Sequence, residues 1–214
     1  MPVPRGEIMR NTHVAVLVLA AGFSTRMKAF KPLLPLGSDR TILARIARLW
    51  QACGVKDIVV VSGHRAHDVE KEAESLGCLI VRNPRPEEGM FSSVQTGLNF
   101  CLQRLFHVDW LAVHPVDIPL IAQGTLEILC ERARTSTAPC LVPVFDGQGG
   151  HPPLLGRRVW GSIAAYTGDG GLKQAMQGLA REDVPVEDSY LDTDLDRPED
   201  YERARALLSG PLGD

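Results

Sequence analysis

The sequence lacks the features that mark several large classes of protein. No apolar run reaches the roughly 18 residues that a membrane-spanning helix needs. Neither G-x-x-x-x-G-K-[ST] nor G-x-G-x-x-G occurs, so a P-loop is absent and a nicotinamide-dependent oxidoreductase is poorly supported. The start of the chain has no apolar core of a signal peptide, so we expect no secretion and a flexible tail over residues 1–12.

Cysteine pairs and a strong net charge are also missing. The five cysteines are odd in number and include no C-x-x-C pair, which favours free thiols in a reducing cytoplasm. The net charge of −3 argues against a nucleic-acid partner. An apolar share of 44% and a charged share of 23% over 214 residues are typical of one globular domain, which we place at residues 13–209.

The hydrophobic pattern alternates between strands and helices. Strands are predicted at residues 14–19, 56–62, 78–82, 110–114, 140–145 and 184–186. Helices are predicted at residues 42–53, 66–75, 90–106, 125–134, 156–165, 171–180 and 198–208. Two prolines make residues 83–89 irregular, and residues 146–153 form a glycine-rich loop. This order predicts an α/β fold with a mostly parallel sheet and right-handed crossovers.

The first strand leads directly into a loop of small residues. Val14–Leu19 is an uninterrupted apolar run, and L-A-A-G at residues 19–22 follows without a break. Small residues let backbone N–H groups approach phosphate oxygens where a strand ends. We therefore expect the amides of this loop, with Gly22, to hold phosphates. A tight turn without a ligand is the alternative.

The same loop is rich in cations. No acidic residue occurs from residue 8 to residue 38, whereas Arg26, Lys28 and Lys31 lie in that stretch. Local positive charge in an otherwise acidic protein indicates a small phosphorylated ligand. We predict a triphosphate site in which Arg26 and Lys31 neutralise charge at the reacting phosphorus. A solvated basic surface is the alternative.

Asp117 follows the strand at residues 110–114, in the segment P-V-D-I-P-L. Open α/β sheets bind ligands at the carboxyl ends of their strands. A triphosphate needs a hard divalent cation, and Mg²⁺ takes one or two carboxylates together with phosphate oxygens. Asp117 is therefore the predicted Mg²⁺ ligand, with a turn or helix-cap residue as the alternative.

Asp194 and Asp196 form a second pair of carboxylates. At alternate positions of an extended segment, both project to one face. We predict that one of them completes the metal site and prefer Asp194. The competing interpretation is ordinary negative charge before the N-terminus of the last helix.

His151 lies in the segment G-G-H-P-P at residues 149–153. The glycines would permit close approach to a ligand, and the imidazole would bind a substrate phosphate or act as an acid or base. A loop histidine without a function is the alternative.

Six motifs resemble those of the nucleotidyltransferases of molybdenum cofactor maturation, most closely the molybdenum cofactor cytidylyltransferases. They follow the family's order and cover nearly the whole chain. They are L-A-A-G-F-S-T-R-M-K-A-F-K-P-L-L-P (19–35), N-P-R-P-E-E-G-M-F-S-S-V-Q-T-G-L (83–98), P-V-D-I-P-L (115–120), G-H-P (150–152), G-D-G-G (168–171) and D-L-D-R-P-E-D-Y (194–201). The sequence departs from the family's motifs at two places, and both departures bear on the identity of the acceptor. Lys28 replaces a glycine, and Pro115-Val116 stands where a glycine usually precedes the aspartate.

The resemblance implies a three-layer Rossmann-like nucleotide-diphospho-sugar transferase fold and a cytoplasmic, Mg²⁺-dependent enzyme. It also implies an acceptor pocket around His151 and Asp196. The residues implied to bind the nucleotide are Leu19, Ala20, Ala21, Gly22, Arg26, Lys31, Ser92 and Ser93.

The expected reaction is attack by the phosphate of molybdopterin, or its metal-loaded form, on the α-phosphorus of CTP, with release of pyrophosphate. Ala21 favours CTP, since guanylyl-transferring relatives look like L-A-G-G at this point. A molybdoenzyme or its chaperone is the expected transient partner. The alternatives are GTP as donor, a sugar phosphate or methylerythritol phosphate as acceptor, and a nucleotide- or pterin-binding carrier without turnover.

Overall fold

A computed structural model describes residues 12–27 and 29–209. The predicted tail lies outside this part of the chain except for Thr12, and Lys28 lies outside it as well. Eight strands form one mixed sheet, and helices cover both of its faces. The predicted α/β fold is confirmed.

The strands are β1 (Val14–Leu19), β2 (Asp57–Ser62), β3 (Leu79–Arg82), β4 (Trp110–Pro115), β5 (Cys140–Phe145), β6 (Gln148–Gly149), β7 (Leu154–Gly156) and β8 (Arg181–Pro185). The helices are α1 (Ile42–Ala52), α2 (Ala66–Ser75), α3 (Met90–Arg104), α4 (Gln123–Thr135), α5 (Arg157–Ala164), α6 (Gly171–Ala175) and α7 (Pro198–Ser209). Short 3₁₀ turns occupy Thr25–Met27, Lys31–Leu33 and Pro86–Glu88.

The sheet has the order β3-β2-β1-β4-β7-β5-β6, with β8 beside β5. The first four strands are parallel, and β7 runs antiparallel to both β4 and β5. The chain order reverses between β1 and β4, so the loops after these two strands diverge and leave a crevice at their carboxyl ends.

Two strands were missed by the sequence analysis. Residues 146–153 were expected to be a loop, but β6 lies there and β7 follows at once. Asp146 and Gly147 adopt positive φ angles of 48° and 73° and turn the chain back from β5 onto β6. Strands of two and three residues are too short for hydrophobic alternation to reveal.

Three other local expectations need adjustment. The helix expected over residues 171–180 ends at Ala175, and Gly178 beyond it has a φ of 85°. The strand expected at residues 184–186 begins earlier, at Arg181. Residues 83–89 are not wholly irregular, because Pro86 begins a 3₁₀ turn, where its missing N–H needs no partner.

The sheet separates two hydrophobic cores. Alternate residues of β1 point to opposite faces, so Val16 and Val18 pack in the core beneath α1, whereas Ala15 and Leu17 pack beneath α3. Thr41 caps α1, since its hydroxyl oxygen accepts from the amide of Ala44 at 2.9 Å. Both cores fix the carboxyl ends of β1 and β4.

The cysteines are free, as expected. Cys101 and Cys140 are buried, and burial raises the pKa of the Cys101 thiol to about 12. In the described ranges, no helix has the length and apolar character needed to cross a membrane.

Candidate functional site

A cavity of about 340 Å³ lies at the carboxyl ends of β1 and β4. The loop after β1 forms one wall, the turn before α3 forms another, and the segment after β4 closes the base. The predicted site residues that line this cavity are Leu19, Ala21, Gly22, Arg26, Lys31, Ser93, Asp117 and Asp196.

The centre of the site is the ammonium group of Lys31. The Lys31 side chain is only 10% exposed, and its Nζ lies 3.1 Å from Oδ1 of Asp196 and 3.6 Å from Oδ2 of Asp117. Arg26 adds a contact of 2.6 Å from its Nη1 to Oδ2 of Asp196. A buried charge is tolerated when it is paired in this way.

These contacts correct one expectation. The cations of the first loop were described as lacking a balancing acid, but Asp117 and Asp196 supply two carboxylates from distant parts of the chain. Asp196, which is predicted to lie at the acceptor pocket, lines the cavity and pairs with both cations.

Asp117 offers an unused oxygen. Its Oδ1 is buried and has no hydrogen-bond partner among the described residues. A buried carboxylate oxygen without a partner is costly, and a bound cation would satisfy it. The donor set therefore fits a hard divalent cation.

Asp194 is the second candidate for that cation. Desolvation and the negative charges of Asp117, Asp196 and Asp192 raise the pKa of Asp194 to about 6. Leu195 between the two aspartates is buried, and its amide donates to the Asp117 carbonyl at 2.8 Å. Within the described ranges no three His, Cys, Asp or Glu side chains converge as a ready-made metal site, so substrate oxygens would complete the coordination.

The small residues after β1 differ in their access to the cavity. Ala20 does not line the cavity, because it is fully buried and its amide donates to the Val61 carbonyl at 3.0 Å. Ala21 lines the cavity, and Gly22 is open, since a Cβ built there would meet nothing within 4 Å. The fold itself therefore places no steric demand on Gly22.

The two serines at the start of α3 have different positions. Ser93 lines the cavity, whereas Ser92 lies behind it and donates to the Gly89 carbonyl at 2.8 Å. Asn83, which the sequence analysis did not single out, donates its side-chain N–H groups to both hydroxyls, at 2.8 and 3.0 Å. Asn83 thus fixes this wall of the cavity, and its proximity to the two serines could not be read from the sequence pattern.

His151 lies outside the cavity lining. Its Nδ1 is buried without a partner among the described residues, and burial lowers its pKa. The absence of a side chain on Gly150 is required by packing, since a Cβ there would lie 2.7 Å from the Leu191 carbonyl oxygen. The His151 amide donates to that same oxygen at 2.8 Å, so this loop is docked on residue 191.

The family model of the MobA-like NTP transferase domain matches residues 16–184. The chain belongs to this family. It is a nucleotidyltransferase, and the resemblance found in the motifs is confirmed.

Known proteins similar to this MobA-like transferase differ in their named activities. The molybdenum cofactor cytidylyltransferase of Escherichia coli is 23% identical over 190 residues, which cover 88% of this chain and 94% of that protein. The crystal structure of Rv0371c from Mycobacterium tuberculosis has a TM-score of 0.76 at 24% identity, over 93% of this chain and 99% of that one. A second structure of Rv0371c is a complex with manganese, with a TM-score of 0.72 at 22% identity over 91% and 98% of the two chains.

A third similar protein is named for another nucleotide. The structure of molybdopterin-guanine dinucleotide biosynthesis protein A from Archaeoglobus fulgidus has a TM-score of 0.68 at 16% identity, and it covers 91% of this chain and 98% of that one. The fold is thus shared with proteins whose names refer to different nucleotides.

A buried histidine of this MobA-like transferase was also missed. His114 in β4 is fully buried, and its pKa is lowered to about 4 by burial. Its Nδ1 lies 3.0 Å from Nε1 of Trp50, and its Nε2 lies 2.9 Å from the carbonyl oxygen of Ile118. The imidazole is therefore neutral near pH 7.

Substituting Gly22→Ala tests the phosphate loop. We expect the melting temperature to stay at the wild-type value, because the added methyl group meets no atom of the protein. Nucleotide binding should weaken by about 10- to 100-fold, because the methyl group would displace a phosphate from its amides. Isothermal titration calorimetry with CTP and Mg²⁺ measures this effect.

Two controls separate ligand effects from folding effects. Gly161→Ala also adds a methyl group in open space, and should leave nucleotide binding unchanged. Gly150→Ala should lower stability by about 1–3 kcal/mol through overpacking against Leu191. Unchanged CTP affinity in Gly22→Ala would contradict a phosphate-binding role for this loop.

The depressed pKa of His114 predicts a specific dependence of stability on pH. The unfolded chain takes up a proton near pH 6.5, whereas the folded protein does so only near pH 4. The contribution of His114 is therefore fully present above pH 6.5 and is lost as the pH falls towards 4, by roughly 3 kcal/mol. The charge of His151 also influences the pKa of His114. Because His151 is present in both the wild type and the variant, it does not account for a difference between them.

Urea unfolding at pH 7.5 and pH 4.5 checks this expectation. His114→Gln cannot take up a proton, so its free energy of unfolding should fall by less between the two pH values than that of the wild type. Equal losses in the two proteins would show that His114 is not held neutral.

Proposed function

We propose that the protein transfers CMP from CTP to the phosphate of molybdopterin or of the molybdenum cofactor, with Mg²⁺, and releases pyrophosphate. The observation that carries this proposal is the pairing of Lys31 with Asp117 at the cavity, where one buried oxygen of Asp117 has no partner in the described part of the chain. A cation and a metal-binding carboxylate at the end of β1 and β4 are what a triphosphate requires.

The wall of the cavity includes Ala21, the residue on which the expectation of CTP rests. The methyl group of Ala21 packs against Gly63, where a Cβ would lie 2.7 Å from it. Ala21 is therefore a fixed part of the wall rather than an adjustable one. The E. coli relative named a cytidylyltransferase aligns over most of the chain, and this likeness supports the same donor.

The residues of the chain act by alignment and charge neutralisation. The acceptor phosphate is already ionised near neutral pH, so its oxygen needs no general base to attack the α-phosphorus. As the new P–O bond forms, the bond to pyrophosphate breaks and negative charge grows on the departing oxygens. Lys31 and Arg26 would neutralise that charge, and the open loop at Gly22 would orient the phosphates.

Asp117 and Asp194 are the residues that would hold Mg²⁺. When bound, the ion would offset charge on the phosphate oxygens that Lys31 and Arg26 leave uncompensated. The manganese complex of Rv0371c supports a divalent cation in a protein of this fold. Asp196 would remain the counter-ion of the two basic side chains.

The acceptor side rests on His151. Its buried Nδ1 has no partner among the described residues, and Asp117 is close enough to influence its pKa. A pterin phosphate is the acceptor that the E. coli relative supports. The product would then pass to a molybdoenzyme or its chaperone.

Substitutions at the two central charges test the mechanism. Lys31→Met and Asp117→Asn keep the size of each side chain and remove its charge. Each should lower kcat for pyrophosphate release by about two to four orders of magnitude. Lys71→Ala removes an exposed lysine of α2 and serves as the matched control. Near wild-type turnover in both charge variants would contradict the mechanism.

A thermal-shift panel tests the choice of nucleotide. A ligand at about 100 times its Kd stabilises the native state by about 2.7 kcal/mol, which raises Tm by roughly 5–10 °C in a chain of this size. With Mg²⁺ present, CTP should give the largest shift among CTP, GTP, ATP and UTP. A larger shift with GTP would contradict the role given to Ala21.

A further inference from the structure

His114, a buried residue of the core, contacts the turn that carries Asp117. This histidine lies in β4, three residues before Asp117, and is completely buried. The carbonyl oxygen of Ile118 lies 2.9 Å from its Nε2, and Nε1 of Trp50 in α1 lies 3.0 Å from its Nδ1. Both ring nitrogens therefore have a partner.

The partners of His114 fix its tautomer. An indole N–H only donates, so Nδ1 of His114 must accept the hydrogen bond from Trp50. The ring proton consequently lies on Nε2, which donates to the carbonyl of Ile118. The hydrogen bond to the turn therefore runs from His114 to Ile118, in agreement with the tautomer that Trp50 requires.

Other contacts also hold the turn, and one reaches Asp117 itself: the amide of Leu195 donates to its carbonyl at 2.8 Å. The amide of Val116 donates to the Leu19 carbonyl at 3.1 Å, and the amide of Ile118 donates to the Pro115 carbonyl at 3.2 Å. Arg45 of α1 donates to the Pro119 carbonyl at 2.9 Å, beside the bond from His114. His114 is the contact that reaches the residue directly after Asp117 from the buried side.

An apolar side chain at position 114 would fill the same space without desolvating an imidazole. It would, however, leave the Ile118 carbonyl and the Trp50 N–H without partners, and a buried polar group without a partner is destabilising. We propose that His114 is a positioning residue, which fixes the turn after β4 and thereby sets where the Asp117 carboxylate meets a metal ion. The proposal rests on the proposed function for the role of Asp117.

Three variants separate positioning from packing. In His114→Gln, the side-chain amide occupies the place of Nε2 and keeps the bond to Ile118. In His114→Asn, the side-chain oxygen occupies the place of Nδ1 and keeps only the partner of Trp50. Trp50→Phe removes the other end of the chain of hydrogen bonds, and should lower Tm while the bond to Ile118 persists.

Amide hydrogen exchange of the metal-free protein is the deciding measurement. We expect the amides of Val116 and Ile118 in His114→Asn to exchange about tenfold faster than in wild type, relative to amides of β1. In His114→Gln and Trp50→Phe, the same ratio should remain within about twofold of wild type, because both variants keep the hydrogen bond to Ile118. Loss of one hydrogen bond would change the ratio by about tenfold. Equal ratios in His114→Asn and wild type would overturn the proposal.

Mn²⁺ binding, measured by the EPR signal of the free ion, gives a second readout without turnover. His114→Asn should weaken Mn²⁺ binding by about tenfold, and Trp50→Phe should not, although its Tm is lower. Equal weakening in Trp50→Phe would reduce His114 to a packing residue. If Asp117→Asn binds Mn²⁺ as wild type does, the metal assignment of the proposed function fails, and amide exchange still decides the role of His114.

Discussion

The site depends on one buried ammonium group. Lys31 lies between the carboxylates of Asp117 and Asp196, with only a tenth of its side chain exposed. Since a buried charge without partners is costly, these ion pairs hold the loop after β1, the turn after β4 and the segment before α7 at one point. The geometry needed for a triphosphate is therefore assembled by the fold before any substrate arrives.

Negative side chains outnumber positive ones at this site even when the ion pairs are counted. The carboxylates of Asp117 and Asp196 pair with Lys31 and Arg26, and Asp194 adds a third carboxylate whose pKa is influenced by both aspartates and by Lys31. Burial is the main cause of the raised pKa of Asp194, and the neighbouring carboxylates add to it. The buried Oδ1 of Asp117 has no hydrogen-bond partner among the described residues. A triphosphate adds further negative charge, so a divalent cation is the simplest way to balance the assembled site.

Local patterns predicted much of the fold and part of the site. The alternation of strands and helices and the place of Asp117 after β4 follow from features within a few residues of one another. The partners of Lys31 could not be predicted from local features, because Asp196 is 165 positions away. The basic loop therefore looked unbalanced in the sequence, although the fold balances it.

Two residues show why the rest needed the structure. His114 interrupts an apolar strand in the sequence, but its partner Trp50 is 64 positions away on α1, and no local pattern reveals their contact. Gly150 has the appearance of a ligand-binding glycine, whereas its freedom from a side chain is used for packing on Leu191. Long-range contact decides both roles, and hydrophobic periodicity carries no information about such contacts.

Mass analysis of the product tests the central claim most directly. The protein would be incubated with CTP, Mg²⁺ and molybdopterin, and the pterin fraction and the pyrophosphate would be measured together. The account predicts a pterin that has gained one CMP, with one pyrophosphate released for each product. An unmodified pterin, beside a sugar phosphate or another phosphate ester that gains a nucleotide under the same conditions, would contradict it.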